Sequence, residues 1–435
     1  MSPTSRVFGA GDRQAAGGVP APALEGFVLA EYLGAYKGMA KVQRALYVAE
    51  RCPALSVESL QLAVEELKVA TYDTVRYQAV CKQLVRLTGS AAEDTEWIVG
   101  ANNAASEQNK DVTARLERAR RQNSKREAFR AQNEQAELLR KMGRMDEAIR
   151  VLQDARSFCV DIGEQSQLHV DVARVAQTMF RWLHVSSSIQ RAESMMPDQP
   201  EAVAAELAVM QAQASFGDAK WTVAVGEIQR LSLEKLAAGS DAVAARDFAL
   251  YGTLAGLAVL SRDRVKELLI DGVQFGQFLA HMPECERLLQ SFYSARYDET
   301  LQRLDAIKSF CLIDPVMGPH IHTLQEQIVD NIVVLYTRPF VSIRMASMAR
   351  ALCFASEDVL EATLVRMIEA GLIDARIDAT TGFLARHTVD PRDSALQRVE
   401  KIHDEFSLQA ELMATRLQYL EEESSLRPGA AAERR

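Results

Sequence analysis

The stretch "LLRKMGRMDEAIRVLQDA", Leu138 to Ala155, decides the fold. One helical run ends at Gly143, a residue type that accepts the left-handed backbone that stops a helix, and a second run starts at Met145. Ala148, Leu152 and Ala155 then follow on one face of the second run. The same order of large and small residues recurs at Trp182, Val185, Ile189 and Ala192, 37 residues on, and at Trp221, Ala224, Ile228 and Leu231, a further 39 on. Tyr297, Thr300, Leu304 and Ile307 lie 76 residues beyond Trp221, close to two more repeats. Each helical hairpin has an apolar face that it cannot bury alone, so the pattern predicts a right-handed solenoid of tetratricopeptide-like (TPR-like) hairpins. A set of unrelated helical hairpins is the alternative.

Outward from this core, proline is absent from Ala54 to Met196 and from Glu201 to Met282, which leaves long stretches free to be helical. Ser56 is a candidate helix cap ahead of the stripe Leu60, Ala63, Val64 and Leu67. The periodicity changes near Pro339. Helical patterns over Ser342–Leu352 and Glu357–Ala370 are closed by Gly371, and then "IDARID" alternates Ile373, Ala375 and Ile377 against Asp374, Arg376 and Asp378, which predicts a strand. A turn at Gly382 leads to a second apolar run at Phe383, Leu384 and Ala385. Two helices followed by a short β-hairpin make a winged helix. From Ser394 to Glu423, Val399, Ile402, Phe406, Met413, Leu417 and Leu420 predict a long amphipathic helix whose stripe needs a partner.

The predicted fold is therefore mainly α. It divides into a disordered tail 1–26, an N-terminal helical region 27–122, helical repeats 123–338, a winged helix 339–393, a terminal helix 394–423 and a tail 424–435.

With 48% apolar and 25% charged residues, the 435-residue chain has ordinary globular composition. Its net charge of -9 argues against broad binding to nucleic acid or an anionic membrane. No apolar run is long enough to span a bilayer, and nothing resembles an export signal, so a soluble intracellular protein is expected. Cys52, Cys81, Cys159, Cys285, Cys311 and Cys353 show no metal or redox spacing and read as core residues. The His320-x-His322 pair lacks the residues that follow the zinc histidines of JAMM-type isopeptidases, and on a helix its rings diverge. Neither a phosphate-binding loop nor a nucleophile elbow is present, so no catalytic, metal or cofactor site is predicted.

The second helix of the winged unit carries Glu357, Asp358, Glu361 and Glu369 against Arg366, which argues against DNA reading by that helix. The basic stretch Lys110–Glu127 reads first as an exposed helix. Its Arg115, Arg118, Arg120 and Arg121 are also candidates for docking an acidic partner or RNA.

A helical solenoid, a winged helix and a terminal helix in that order resemble the plan of PCI-domain scaffold proteins. The segment "YLGAYKGMAKVQRALYVAERCPALSVESLQLAVEELK" is similar to the N-terminal part of the subunit 1 family of the constitutive photomorphogenesis (COP) signalosome, through Tyr32, Gly34, Cys52, Pro53, Leu55, Val57, Glu58 and Leu60. "RPFVSIRMASMARALCFASEDVLEATLVRMIEAGLIDARID" resembles that family's PCI winged helix, and "HTVDPRDS", "FYSARYDETLQRLDAIK" and "DPVMGPHI" fall in family order. The resemblance runs from Tyr32 to Leu420 and is weakest between Ala91 and Ser240.

It implies a non-catalytic scaffold in the complex that removes a ubiquitin-like modifier from cullins, in the cytoplasm and nucleus. The implied partners are other PCI subunits, JAMM isopeptidase subunits and cullin-RING ligases. It also implies a winged-helix edge at Ile373, Asp374, Ala375, Arg376 and Ile377, and a helical-bundle stripe at the six terminal-helix residues named above. A non-ATPase lid subunit of the proteasome regulatory particle, or an RNA-binding or translation-initiation PCI protein, are the alternatives.

Overall fold

The structure, a computed structural model, describes residues 27–89, 93–239, 242–354, 356–386 and 391–426. The expected tail at 1–26 lies outside the described residues, as do 427–435 of the tail expected at 424–435 and His387 to Asp390 of the "HTVDPRDS" element; residues 424–426 are instead the end of the terminal helix.

Two compact units are present, the first built from residues up to Tyr336 together with Ala351–Cys353, the second from the rest. The first is a helical solenoid. Its helices Met145–Ala155, Trp182–Met195, Trp221–Ile228 and Tyr297–Cys311 begin at the four large residues that head the repeat pattern. The small and branched residues behind those heads are buried; in the second repeat, Val185, Ile189 and Ala192 pack with Val170, Ala173 and Ala176 of the preceding helix and with Leu207, Met210 and Ala214 of the next. Each hairpin thus completes its core only with its neighbour.

A shared turn lies behind this regularity. Two residues before each helix start, the backbone enters the left-handed region at Gly143, Phe180, Ala219 and Ala295, and the same happens at Asn123 before helix Lys125–Lys141. At every one of these turns the next amide donates back to a carbonyl five residues earlier: Ser124 to Ala119, Arg144 to Leu139, Arg181 to Ala176, Lys220 to Ser215 and Arg296 to Ser291. This 6→1 bond satisfies a carbonyl that the helix end would otherwise orphan. The intervening hairpin, Ala245–Val259 with Arg262–Val265, departs from the rule: Leu260 is extended, and the second helix continues as a π-turn over Lys266–Ile270.

Ser56 does not cap its helix. It is the first helical residue, and its hydroxyl donates to the Pro53 carbonyl.

The second unit contains a three-stranded antiparallel sheet, β1 (Ser342–Arg344), β2 (Ala375–Asp378) and β3 (Phe383–Arg386), in the order β1-β3-β2. Helices Met345–Ala351 and Glu357–Glu369 lie between β1 and β2 in sequence. Ser342–Arg344 is therefore a strand and not the helix start expected from sequence. The exposed Ser342 and Arg344 flank a half-buried Ile343, which pairs opposite Leu384; three residues are too few for a period of two to show. The terminal helix is one unbroken run, Pro391–Leu426.

Candidate interaction surfaces

Within the first unit, the N-terminal helices Leu29–Gly34 and Gly38–Arg51 are fastened to two later parts of the solenoid, at Asp247 and Asp314, by a buried ionic cluster. Arg44, 2% exposed, sits in a helix buried on several sides, one turn from the buried Tyr47 and Val48. One of its terminal nitrogens donates to Asp314 at 2.5 Å and to the Tyr32 hydroxyl at 3.0 Å; the other donates to Asp247 at 3.1 Å. Its guanidinium also stacks 4.1 Å from the centre of the Tyr36 ring.

One cation faces two carboxylates, so other donors must supply the balance. Asp247 accepts from the Tyr36 hydroxyl at 2.6 Å and from the Ala244 amide. Asp314 accepts from the Tyr251 hydroxyl and from the amides of Val316 and Met317. Burial pushes the Tyr36 and Tyr251 phenols well above their usual range, which keeps both as donors. Burial also raises the Asp247 carboxyl against the pull of Arg44. For Arg44 itself burial disfavours the charge, but Asp247, Tyr36 and Asp314 outweigh it and the guanidinium stays ionised.

The cluster was not legible beforehand, because its pairs are separated by 203 and 270 residues. The signal available was an arginine one helical turn from Tyr47 and Val48. The cluster joins two of the segments that carried the family resemblance, since Tyr32 opens the first and Asp314 opens "DPVMGPHI".

In the second unit the strand order leaves one side of β2 without a strand partner among the described residues. Ala375, Arg376 and Ile377 lie in β2, but Ile373 and Asp374 precede it. The chain is still leaving the helix there, through the Gly371 turn, and the Ile373 side chain is buried. Ala375 and Ile377 turn inward, whereas Arg376 and Asp378 are exposed. A charged edge of this kind resists indiscriminate strand pairing and admits a partner with matching charges.

On the terminal helix Val399, Ile402, Phe406, Met413, Leu417 and Leu420 are all exposed, Phe406 at 68%. Leu396, Leu408, Leu412 and Tyr419 of the same helix are exposed as well, Leu408 on the face opposite Val399 and Leu417.

The basic stretch is less uniform than its composition suggested. Arg115 is tied to Glu134 and Asp111, and Arg121 to Glu117. Arg118 and Arg120 have no ion-pair partner among the described residues, and Arg120 lies over the Phe158 ring. The His320 Nε2–H donates to the Gly217 carbonyl, 2.9 Å away, and the ring meets Trp221 edge-on. Among the described residues no three His, Cys, Asp or Glu side chains cluster as metal ligands would, and no helix is long and apolar enough to cross a membrane. Cys52, Cys81, Cys285 and Cys311 are buried, with the Cys285 thiol pushed up to about 12 by burial, but Cys353 is exposed and is not a core residue.

Comparison with known proteins places this geometry. Residues 297–387 match the PCI domain, and residues 94–268 match the family described as 26S proteasome subunit RPN7. The chain is 27% identical to COP9 signalosome complex subunit 1 of Arabidopsis thaliana, over 90% of this chain and 89% of the relative. It is 24% identical to subunit 1b of the Drosophila melanogaster complex, over 84% and 80%. The chain carries a PCI domain and is similar to COP9 signalosome subunit 1 along most of its length. The PCI match begins at Tyr297, the head of the last repeat helix, and so takes in the end of the solenoid as well as the winged helix. By contrast, similarity to the 26S proteasome non-ATPase regulatory subunit 6 homologue of Arabidopsis thaliana is 22% and covers 36% of this chain and 40% of the relative.

Proposed function

We propose that the chain is a non-catalytic scaffold subunit of a signalosome, the complex that removes a ubiquitin-like modifier from cullins and so regulates cullin-RING ubiquitin ligases. The observation that carries this reading is the terminal helix. At about 1.5 Å per residue it runs for roughly 50 Å, with an exposed apolar stripe along it. A stripe of that length is a helical-bundle element waiting for partner helices. The similarity to signalosome subunit 1 along most of both chains names the assembly that would provide them.

In this reading the β2 edge pairs with a neighbouring PCI subunit, the terminal helix enters a bundle with other PCI and JAMM isopeptidase subunits, and the solenoid faces cullin-RING ligases. The working place is the cytoplasm and nucleus. A second reading, a lid subunit of the proteasome regulatory particle, is favoured by the match of residues 94–268.

The test is native purification of the tagged chain, followed by size-exclusion chromatography and mass spectrometry. Co-elution with a JAMM isopeptidase subunit and other PCI chains, in a peak that removes the modifier from a cullin, is the expected result. Proteasomal ATPases in the peak instead would establish the second reading.

A further inference from the structure

Two arginines of the first unit that make no ion pair among the described residues meet at one cleft. Helix Thr95–Arg121 ends, helix Lys125–Lys141 begins, and the single turn Arg156–Phe158 follows helix Met145–Ala155; between these elements lies an open cleft of about 560 Å³. Arg120 and Arg156 both line it, and neither has an ion-pair partner among the described residues. Four other arginines of these elements are engaged: Arg115 with Glu134, Arg121 with Glu117, Arg126 with Asp161 and Arg144 with Glu147. Arg120 is held in place, its guanidinium 5.5 Å from the centre of the Phe158 ring, which also lines the cleft.

Gln132 points to the kind of ligand. It lines the same cleft, is only 4% exposed, and its side-chain oxygen accepts no hydrogen bond. A buried acceptor without a donor is unfavourable unless something supplies one. A peptide main-chain N–H can do so, beside a side-chain anion that faces the two arginines. Asp154, also in the lining, opposes a continuous polyanion and leaves the two arginines in excess by one charge.

We infer that this cleft binds an acidic peptide segment of a partner protein, with a side-chain anion between Arg120 and Arg156 and a main-chain amide donating to Gln132. This deepens the scaffold reading by giving one docking point of the solenoid and the chemistry it selects.

The test uses the purified full-length chain and a randomised nine-residue peptide library, in versions with Glu and with Gln fixed at the centre, and a U10 RNA as competitor. Selection should enrich Glu-centred peptides and not Gln-centred ones. For the best peptide, measured by fluorescence anisotropy, Arg120→Ala and Arg156→Ala should each weaken binding about tenfold, the loss of one charge-assisted contact. Arg264→Ala, at a surface ion pair on another helix, should leave it unchanged.

Gln132→Leu distinguishes a ligand contact from a packing role. It should weaken peptide binding with no loss of thermal stability, because the acceptor it removes is unsatisfied in the fold. No enrichment of acidic peptides, equal binding by the Arg156→Ala chain, or RNA that displaces the peptide at equal concentration would each overturn the inference. Because the isolated chain is used, failure here is separable from failure to co-purify with signalosome subunits.

Discussion

Replacing Arg44 by methionine tests the buried cluster most directly. Methionine keeps the length and apolar stem of the side chain, so the change is chiefly the loss of one charge and of its donors to Asp247, Asp314 and Tyr32. Two buried carboxylates are then left facing each other, with only tyrosine hydroxyls and backbone amides around them. Removing one partner of a buried ion pair costs about 3–5 kcal/mol, and at roughly 2 °C per kcal/mol for a chain of this size the melting temperature should fall by ~6–10 °C.

The assay is differential scanning calorimetry of the full chain at pH 7, with a triple variant alongside: Arg44→Met, Asp247→Asn and Asp314→Asn. If uncompensated charge is the cause, the triple variant should recover a large part of the loss, since no buried charge is left unpaired. An Arg44→Met chain that melts within a degree of the parent would refute the reasoning. So would a triple variant no more stable than the single one, which would mean that packing and not electrostatics holds the N-terminal helices.

Four further outcomes are expected. The Asp247 carboxyl is raised in the folded state, so its contribution to stability is fully present below the unfolded carboxylate pKa and is lost as pH rises; the melting temperature of the parent relative to Asp247→Asn should therefore be more favourable at pH 4 than at pH 7, and an opposite trend would contradict the assigned direction. Ala219 holds the left-handed turn at φ 58°, so Ala219→Gly should stabilise the chain by about 0.5–1 kcal/mol in a denaturant melt. At the equivalent turn Gly143→Ala should destabilise it by more than that, because a Cβ there would run into the Asp73 carboxylate. Phe406→Asp should expel the chain from its assembly on size-exclusion chromatography without lowering its own melting temperature, since Phe406 is exposed in the isolated chain and a charge would be buried only in the bundle.

What the sequence made legible follows from the range over which its signals act. The heads of the repeat helices, Met145, Trp182, Trp221 and Tyr297, were visible because a helical hairpin repeats its packing within about 40 residues, so local periodicity reports it. The turn that sets their register was visible only at Gly143. Phe180, Ala219 and Ala295 adopt the same left-handed conformation without being glycine, and the 6→1 hydrogen bond, a backbone feature that side-chain identity does not encode, holds them there. The strand Ser342–Arg344 was missed because it is defined by its partner across the sheet, not by its own three residues.

The ionic cluster lies at the far end of that scale. Neither Tyr32 nor Asp314 announces a role in its own neighbourhood, yet both sit in segments that resemble the signalosome subunit 1 family. Their meeting at Arg44 supplies a physical reason for that pairing of motifs: a buried cation fixes the placement of each carboxylate to within hydrogen-bond distance, and the tyrosine hydroxyls fix it further. An apolar contact would tolerate a shift of one helix along another; a cation shared between Asp247 and Asp314 does not, because any slip breaks a charged bond that burial prevents water from replacing. The N-terminal helices are thus held in one register against the solenoid at Asp247 and Asp314, a rigid base for whatever the solenoid presents to its partners.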